Sequence, residues 1–297
     1  MANLTGLTLC FLGGDRRELQ VICALAEIGA KLRCFGVPRE GLRCDVDVAD
    51  SAHEALLGAS GLVMPLSGTD DSGNLRITTQ PMKIDRELLS VMAPGSIVFT
   101  GNIHSELTQI CEDLGLRLVD TGSDDELAIL NSIPSAEGAV QMAMQATAIT
   151  IHNSNCLVTG MGRTGATLAR LLHAMGARVW AAARKTADRA RAFEMGLMPV
   201  DYPDLAACIP QIDMVFNTVP AMIIDRPLIC MMKRSAIIVD LASAPGGVDF
   251  ASAAERGIWA QLAPGLPGKV APVTAGAVLA RVLPRIVQAE FARVGLL

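Results

Sequence analysis

The sequence predicts an α/β protein of two parallel-sheet domains joined by a spanning helix, with a C-terminal helix crossing back onto the first domain. Three observations carry this. Short apolar runs alternate with segments of helical period, the pattern of β-α-β units and parallel sheets. The plan of strand, glycine turn, helix and strand occurs twice, opening at residues 7–12 and again at 155–160. A helical stretch without that plan, "SAEGAVQMAMQATAIT" at residues 135–150, separates the two layers. The 297 residues suit two domains of roughly 100–200 residues each.

Residues 7–12 form an apolar strand, and Gly13-Gly14-Asp15 a turn. Residues 17–28 place Leu19, Ile22, Cys23, Leu25 and Ala26 on one helical side, with Gly29 as a terminating residue. Strands are expected at 31–36, 61–65, 96–100 and 117–120, helices at 85–92 and 106–114, and a polar loop at 67–74. Ser135 is read as the cap of the connector helix. Strands follow at 155–160, 178–183, 214–218, 236–241 and 258–261. A proline- and glycine-rich loop, "APGLPGKVAPVTAG" at 263–276, precedes a last helix at 273–294, capped by Thr274 and interrupted by Pro284. The domains are therefore expected at 1–134 plus 274–297, at 135–150 for the connector, and at 151–273.

Composition excludes several classes. A net charge of −5 with scattered basic residues and 3% aromatics argues against a nucleic-acid partner, which needs cationic phosphate contacts. The longest apolar runs are broken by charges or turns before the roughly 18 residues of a membrane span. Eight cysteines, none in a CxxC pair and most within apolar runs, read as reduced thiols of a cytoplasmic protein. No His, Asp and Glu cluster has metal-ligand spacing, so no metal is expected.

"VTGMGRTGATLARLLHAMGARVWAAARK" carries the chemistry. Gly160-Met-Gly162-Arg-Thr-Gly165 follows an apolar strand and opens a helix, the context that makes G-x-G-x-x-G informative. Gly160 permits the turn, Gly162 admits a pyrophosphate, and Gly165 lets helix and strand pack closely, the marks of a Rossmann-like dinucleotide unit. Arg163 and Thr164 stand at the helix start, whose free N–H groups hold phosphate. An acid closing the second strand would bind the ribose hydroxyls of NAD. Here the strand ends in Ala181-Ala182-Ala183 and then Arg184-Lys185. A cationic pair fits a 2′-phosphate, so NADP is expected, with NAD as the alternative; two solvated surface cations would read the same way. Thr218-Val219-Pro220 and Leu241-Ala242-Ser243 end two further strands and are expected to border the nicotinamide half.

The strings "GMGRTGATLARLLHAMGARVWAAARK", "NTVPAM", "DLASAPGGVDF" and "LAPGLPGKVAPVTAG" closely resemble the A-subunit family of bacterial dipicolinate synthase, as do "FLGGDRRELQVICALAEIGAKL" and "DELAILNSIPSAEGAVQMAM" in the first half. The resemblance spans nearly the whole chain. It implies a nicotinamide-dependent oxidation of dihydrodipicolinate to dipicolinate (pyridine-2,6-dicarboxylate) in the mother cell of a sporulating bacterium. It also implies the flavoprotein-like B-subunit of dipicolinate synthase as partner, in a hetero-oligomer.

A dicarboxylate substrate calls for cations. Arg16, Arg163 and Lys269 are candidates, with Asn131, Ser132 and Thr274 as polar neighbours. Glu137 is the candidate proton acceptor, although a carboxylate favoured by a helix start reads the same way. Two rivals stand beside this. A 2-hydroxyacid dehydrogenase shares the plan but needs a late histidine, and the four histidines are His53, His104, His152 and His173. A non-catalytic nucleotide-binding component of a flavoprotein complex is the other. Homo-oligomers are expected as well.

Overall fold

The computed structural model describes residues 3–70, 72–75, 77 and 81–297. It divides into two units, Met1–Ala128 with Pro272–Leu297, and Ile129–Ala271. Both are Rossmann-like α/β layers on a six-stranded parallel sheet.

In unit 1 the strands are β1 (Thr8–Leu12), β2 (Lys31–Phe35), β3 (Asp47–Val48), β4 (Gly61–Val63), a small antiparallel pair β5 (Asn74–Leu75) and β6 (Met82–Lys83), then β7 (Ile97–Thr100) and β8 (Arg117–Asp120). The sheet order is β3-β2-β1-β4-β7-β8, so the strand order reverses between β1 and β4. The helices are α1 (Arg16–Glu27), α2 (Ala52–Leu56), α3 (Arg86–Leu89) and α4 (Ser105–Leu114). The polar loop expected at 67–74 runs into β5, and its Asp71 lies outside the described residues.

Next comes α5 (Asp125–Ala146), which starts ten residues before the expected Ser135 cap. Pro134 lies inside it and cannot donate to the fourth carbonyl back. Serine hydroxyls serve the neighbouring carbonyls instead. Ser135 Oγ donates to Asn131 O at 2.9 Å and Ser132 Oγ to Ile129 O at 2.6 Å. Ser135 is thus interior to the helix rather than its cap.

Unit 2 continues with β9 (Asn155–Thr159), α6 (Arg163–Ala174), β10 (Arg178–Ala182), α7 (Thr186–Glu194), β11 (Met198–Val200), α8 (Leu205–Cys208), β12 (Met214–Asn217), α9 (Arg226–Met231), β13 (Ile237–Asp240), α10 (Phe250–Glu255), β14 (Trp259–Leu262) and α11 (Leu266–Val270). Its order is β11-β10-β9-β12-β13-β14. Both sheet faces are covered, which explains the unbroken apolar runs. Val158, Phe216 and Val239 pack with Leu168 and Leu172 on one face. Leu157, Val215 and Ile238 pack with Ile209 and Ile229 on the other.

Two expectations near the C-terminus change. The proline-rich stretch at 263–276 is not a loop throughout. Pro267 falls in the first turn of α11, where a missing N–H costs nothing, and Gly265 precedes it in the left-handed region (φ +67°). The final helix α12 (Pro272–Arg293) runs through Pro284 without interruption, and Thr274 lies inside its first turn. Tertiary packing holds it. A side chain at Gly276 would press on Gln20 and Arg17 of α1, so only glycine lets the two helices meet so closely. Phe291 packs on Phe99 with ring centroids 6.1 Å apart. Buried Glu290 pairs with Arg117 at 2.6 Å.

The turn after β1 holds one unfavourable group. Asp15 caps α1, and Glu18 returns to accept from Asp15 N at 2.7 Å, a capping box. Glu18 is only 3% exposed and its Oε1 has no partner. Burial pushes its carboxyl up to about 7. Between the ordinary carboxylate value near 4.5 and 7, the folded chain keeps a proton that the unfolded chain has released, so stability falls as pH rises through that window. Above it, the penalty of the buried charge is complete. Glu18→Gln keeps the acceptor for Asp15 N and removes the charge. It should stabilise the protein by up to ~3 kcal/mol at pH 8, the gain vanishing below pH ~4.5. Thermal melts of both proteins across pH check this; an equal gain at every pH would exclude the titration.

Candidate nucleotide site

The site begins where β9 runs out. Gly160 turns with φ +91°, and its N–H donates to Ala182 O at 2.8 Å, holding the turn against β10. A side chain at Gly160 would strike Thr218 and Val219, and one at Gly165 would strike the carbonyl of Gly160. Gly162 differs. It caps α6 with extended backbone, and a Cβ there would meet open space. The cradle is therefore tight behind and open in front, which fits a pyrophosphate set on the α6 N-terminus. Arg163 is exposed beside it and Thr164 half-buried.

β10 delivers the cationic pair. Ala181, Ala182 and Ala183 are buried, and Arg184 and Lys185 are exposed directly after them. Lys185 is the residue preceding α7. Arg189, which the sequence did not single out, fixes this turn. Its Nη1 donates to Ala183 O and Arg184 O, each at 2.8 Å, and meets Asp201 at 3.1 Å. Burial pushes the Tyr202 phenol up, and the nearby Arg184 guanidinium opposes that rise.

The expected border loops, Thr218-Val219-Pro220 and Leu241-Ala242-Ser243, follow β12 and β13. A buried network that sequence reasoning missed ties them to the glycine turn. Thr159, Asn217 and Asp240 are each fully buried, and each is the last residue of its strand. Thr159 Oγ1 donates to Asn217 Oδ1 at 2.6 Å, and Asn217 Nδ2 donates to Asp240 Oδ1 at 2.8 Å and Val219 O at 3.0 Å. The Asp240 carboxylate also accepts from Ala242 N at 3.0 Å and Gly247 N at 2.8 Å. Thr218 Oγ1 donates to Thr159 O at 2.7 Å. The available signal was a polar residue closing each of three neighbouring strands.

The remaining candidates fall in separate places. Arg16 and Thr274 belong to unit 1, both exposed, with Arg16 3.6 Å from Glu40. Asn131, Ser132, Glu137 and Lys269 belong to unit 2. Ser132 is buried, its hydroxyl engaged by Ile129 O and by Thr167 Oγ1 at 2.7 Å. Asn131 Oδ1 is buried with no partner. Glu137 is exposed on α5, bordering an apolar groove with Val140, Met144, Leu171 and Met175. Lys269 is exposed in the last turn of α11, not in a loop, and α11 packs onto α5 at Gly138. Glu137 and Lys269 therefore lie on adjoining helices. Among the described residues no group of three or more His, Cys, Asp or Glu could hold a metal, and no helix is long and apolar enough to cross a membrane.

The turn of unit 1 shares this geometry and lacks its opening. β1 and β9 each end four residues before their helix begins, and Gly13 N donates to Phe35 O as Gly160 N does to Ala182 O. By that register Asp15 stands at the place of Gly162 and Glu18 at that of Gly165. The α1 N-terminus is met by the protein's own carboxylates, while that of α6 is open.

The fold and the open glycine turn define a dinucleotide-binding protein of the Rossmann type. The model of the NAD-binding domain of D-isomer specific 2-hydroxyacid dehydrogenases matches residues 131–248, and that of the N-terminal domain of the dipicolinate synthase A-subunit matches residues 8–121. The dipicolinate synthase A-subunit of Bacillus subtilis (strain 168) is 37% identical over 298 residues, covering 97% of this chain and 99% of its own length. The crystal structure of the corresponding protein from Bacillus halodurans superposes with a TM-score of 0.89 at 34% identity, covering 96% of this chain and 99% of its own. The Bacillus subtilis crystal structure gives 0.88 at 36% identity, covering 98% and 99%. The chain belongs to the dipicolinate synthase A-subunit family.

The network yields a test. Asp240→Asn preserves volume but turns an amide toward donors that need an acceptor. The expected loss is ~2–4 kcal/mol of stability, because buried donors are left unsatisfied. Denaturant unfolding measures it; an unchanged midpoint would show that the carboxylate is not needed.

Proposed function

We propose that the chain is the nicotinamide-binding component of a dipicolinate synthase and oxidises a dihydrodipicolinate-level dicarboxylate to pyridine-2,6-dicarboxylate with NADP. The observation that carries the cofactor reading is the open cradle at Gly162 with Arg184 and Lys185 at the end of β10. Gly160, Gly162, Arg163, Thr164 and Gly165 would hold the pyrophosphate. Arg184 would grip the 2′-phosphate in bidentate fashion, with Lys185 as a second charge. Thr218-Val219-Pro220 and Leu241-Ala242-Ser243 would border the nicotinamide.

Aromatising the dihydropyridine removes a hydride and a proton. The nicotinamide, when bound, accepts the hydride. For the chain's own residues, Glu137 is the proposed proton acceptor and Lys269 pairs with one substrate carboxylate. Their exposure on adjoining helices supports both roles. Arg16 and Thr274, both on unit 1, are proposed substrate-binding residues. The hydroxyl of Ser132 is already engaged, which favours a structural role for it. The family resemblance supports a flavoprotein-like partner and action in the mother-cell cytoplasm during sporulation.

Two variants test the cofactor reading. Arg184→Asp should weaken NADPH binding by at least about tenfold, with NADH binding held within about threefold, because a charge-assisted bond is lost and repulsion gained. Fluorescence titration of both nucleotides decides; equal affinity of parent and variant for NADPH would remove Arg184 from the 2′-phosphate. Gly162→Val should abolish binding of either nucleotide while leaving the melting temperature near that of the parent, since its side chain enters open space. Retained binding would place the dinucleotide elsewhere.

A further inference from the structure

Unit 1 carries a feature that nucleotide chemistry does not use. Cys23 lies on α1 and Cys44 in the segment between β2 and β3, both half-buried. Their Sγ atoms stand 2.7 Å apart. Bonded sulfurs stand about 2.0 Å apart, so a covalent bridge asks for a shift of less than ~1 Å. Both cysteines line a surface cavity of about 930 Å³, as do Arg16, Glu40 and Arg43. A small oxidant can therefore reach the pair. Cys10, Cys34, Cys111, Cys156 and Cys208 are buried, and Cys230 is exposed.

We propose that Cys23 and Cys44 form a reversible disulfide by exchange with a low-molecular-weight disulfide, stapling the segment after β2 onto α1. One protein thiol, as its thiolate, attacks the oxidant's S–S bond, giving a mixed disulfide and releasing one small thiol, which takes up the proton. The second protein thiol then attacks the protein-side sulfur of the mixed disulfide, forms the Cys23–Cys44 bond and releases a second small thiol. Two electrons pass from the protein thiols to the oxidant, and both thiol protons end on the released thiols. Burial, and then contact with Cys23, pushes the Cys44 thiol up to about 12, which slows its attack on an outside disulfide. The second attack is intramolecular, at a distance already short. The expected reduced state of the cysteines is thus one of two states for this pair, which suits a reversible bond in a reducing compartment.

The test uses the full reduced chain under native conditions with glutathione disulfide. After blocking of free thiols and tryptic cleavage, Cys23, Cys34 and Cys44 fall on separate peptides, residues 18–31, 34–39 and 44–76. Mass spectrometry should show 18–31 linked to 44–76, with the link reversed by dithiothreitol and absent in Cys23→Ser. The oxidised protein should melt at a higher temperature than the reduced one, since the bridge restricts the unfolded chain. Separately blocked Cys23 and Cys44 under conditions that modify Cys230, or a bond from either cysteine to Cys34, would overturn the proposal. The readout on the parent chain does not depend on the variant folding, nor on the nucleotide reading.

Discussion

Unit 2 depends on one carboxylate. Asp240 is completely buried at the end of β13, where a polar group without partners would be costly. Asn217 Nδ2, Ala242 N and Gly247 N all donate to it. Each donor belongs to a different piece of the carboxyl edge, so satisfying Asp240 sets the paths of those pieces together. Asn217 then has its amide orientation fixed, which leaves Oδ1 to accept from Thr159 and from Val219 N at 3.2 Å. The glycine turn and the two border loops are thereby held by one hydrogen-bonded unit rather than by separate contacts.

Glycines complete that arrangement. A side chain at Gly247 would strike the carbonyls of Ala221 and Val219, and one at Gly246 would strike the Asp240 carboxylate. Gly246 also has φ +89°, a conformation that other residues adopt at a cost. The string "DLASAPGGVDF" is therefore a carboxylate, the backbone that wraps it, and the two glycines that let the wrapping close. It lies beside the proposed nicotinamide border, so the loops there owe their position to a buried charge and not to their own exposed residues.

The two units show how little separates a nucleotide cradle from a closed turn. Their strands end and their helices start at the same offset, and both first glycines bond to the neighbouring strand. In unit 2 glycine at the second and third positions leaves the α6 N-terminus open. In unit 1 Asp15 and Glu18 take those positions, cap α1, and fill the space above Gly14 with a side chain. A carboxylate of the chain and a phosphate of a ligand satisfy the same N–H groups, and unit 1 uses the first of them.

The sequence by itself determined the parallel sheets, the place of the glycine turn and the cationic end of β10, because these rest on local pattern: apolar runs, glycine spacing and charge adjacent to a strand. The strands expected from those runs end within a residue or two of the observed ones for the same reason, while the short edge strands β3 and β11 were not expected. Tertiary structure decided the rest. Pro284 reads locally as a break, yet it lies within a long helix, where packing outweighs the missing bond, as Pro134 lies within α5. The segment around Lys269 reads as a loop by composition, yet Pro267 lies in the first turn of a helix that packs on α5 at Gly138. Thr159, Asn217 and Asp240 are far apart in the chain and ordinary in type. Only the parallel register of β9, β12 and β13 sets Thr159 beside Asn217 and Asn217 beside Asp240, and no local spacing encodes that register.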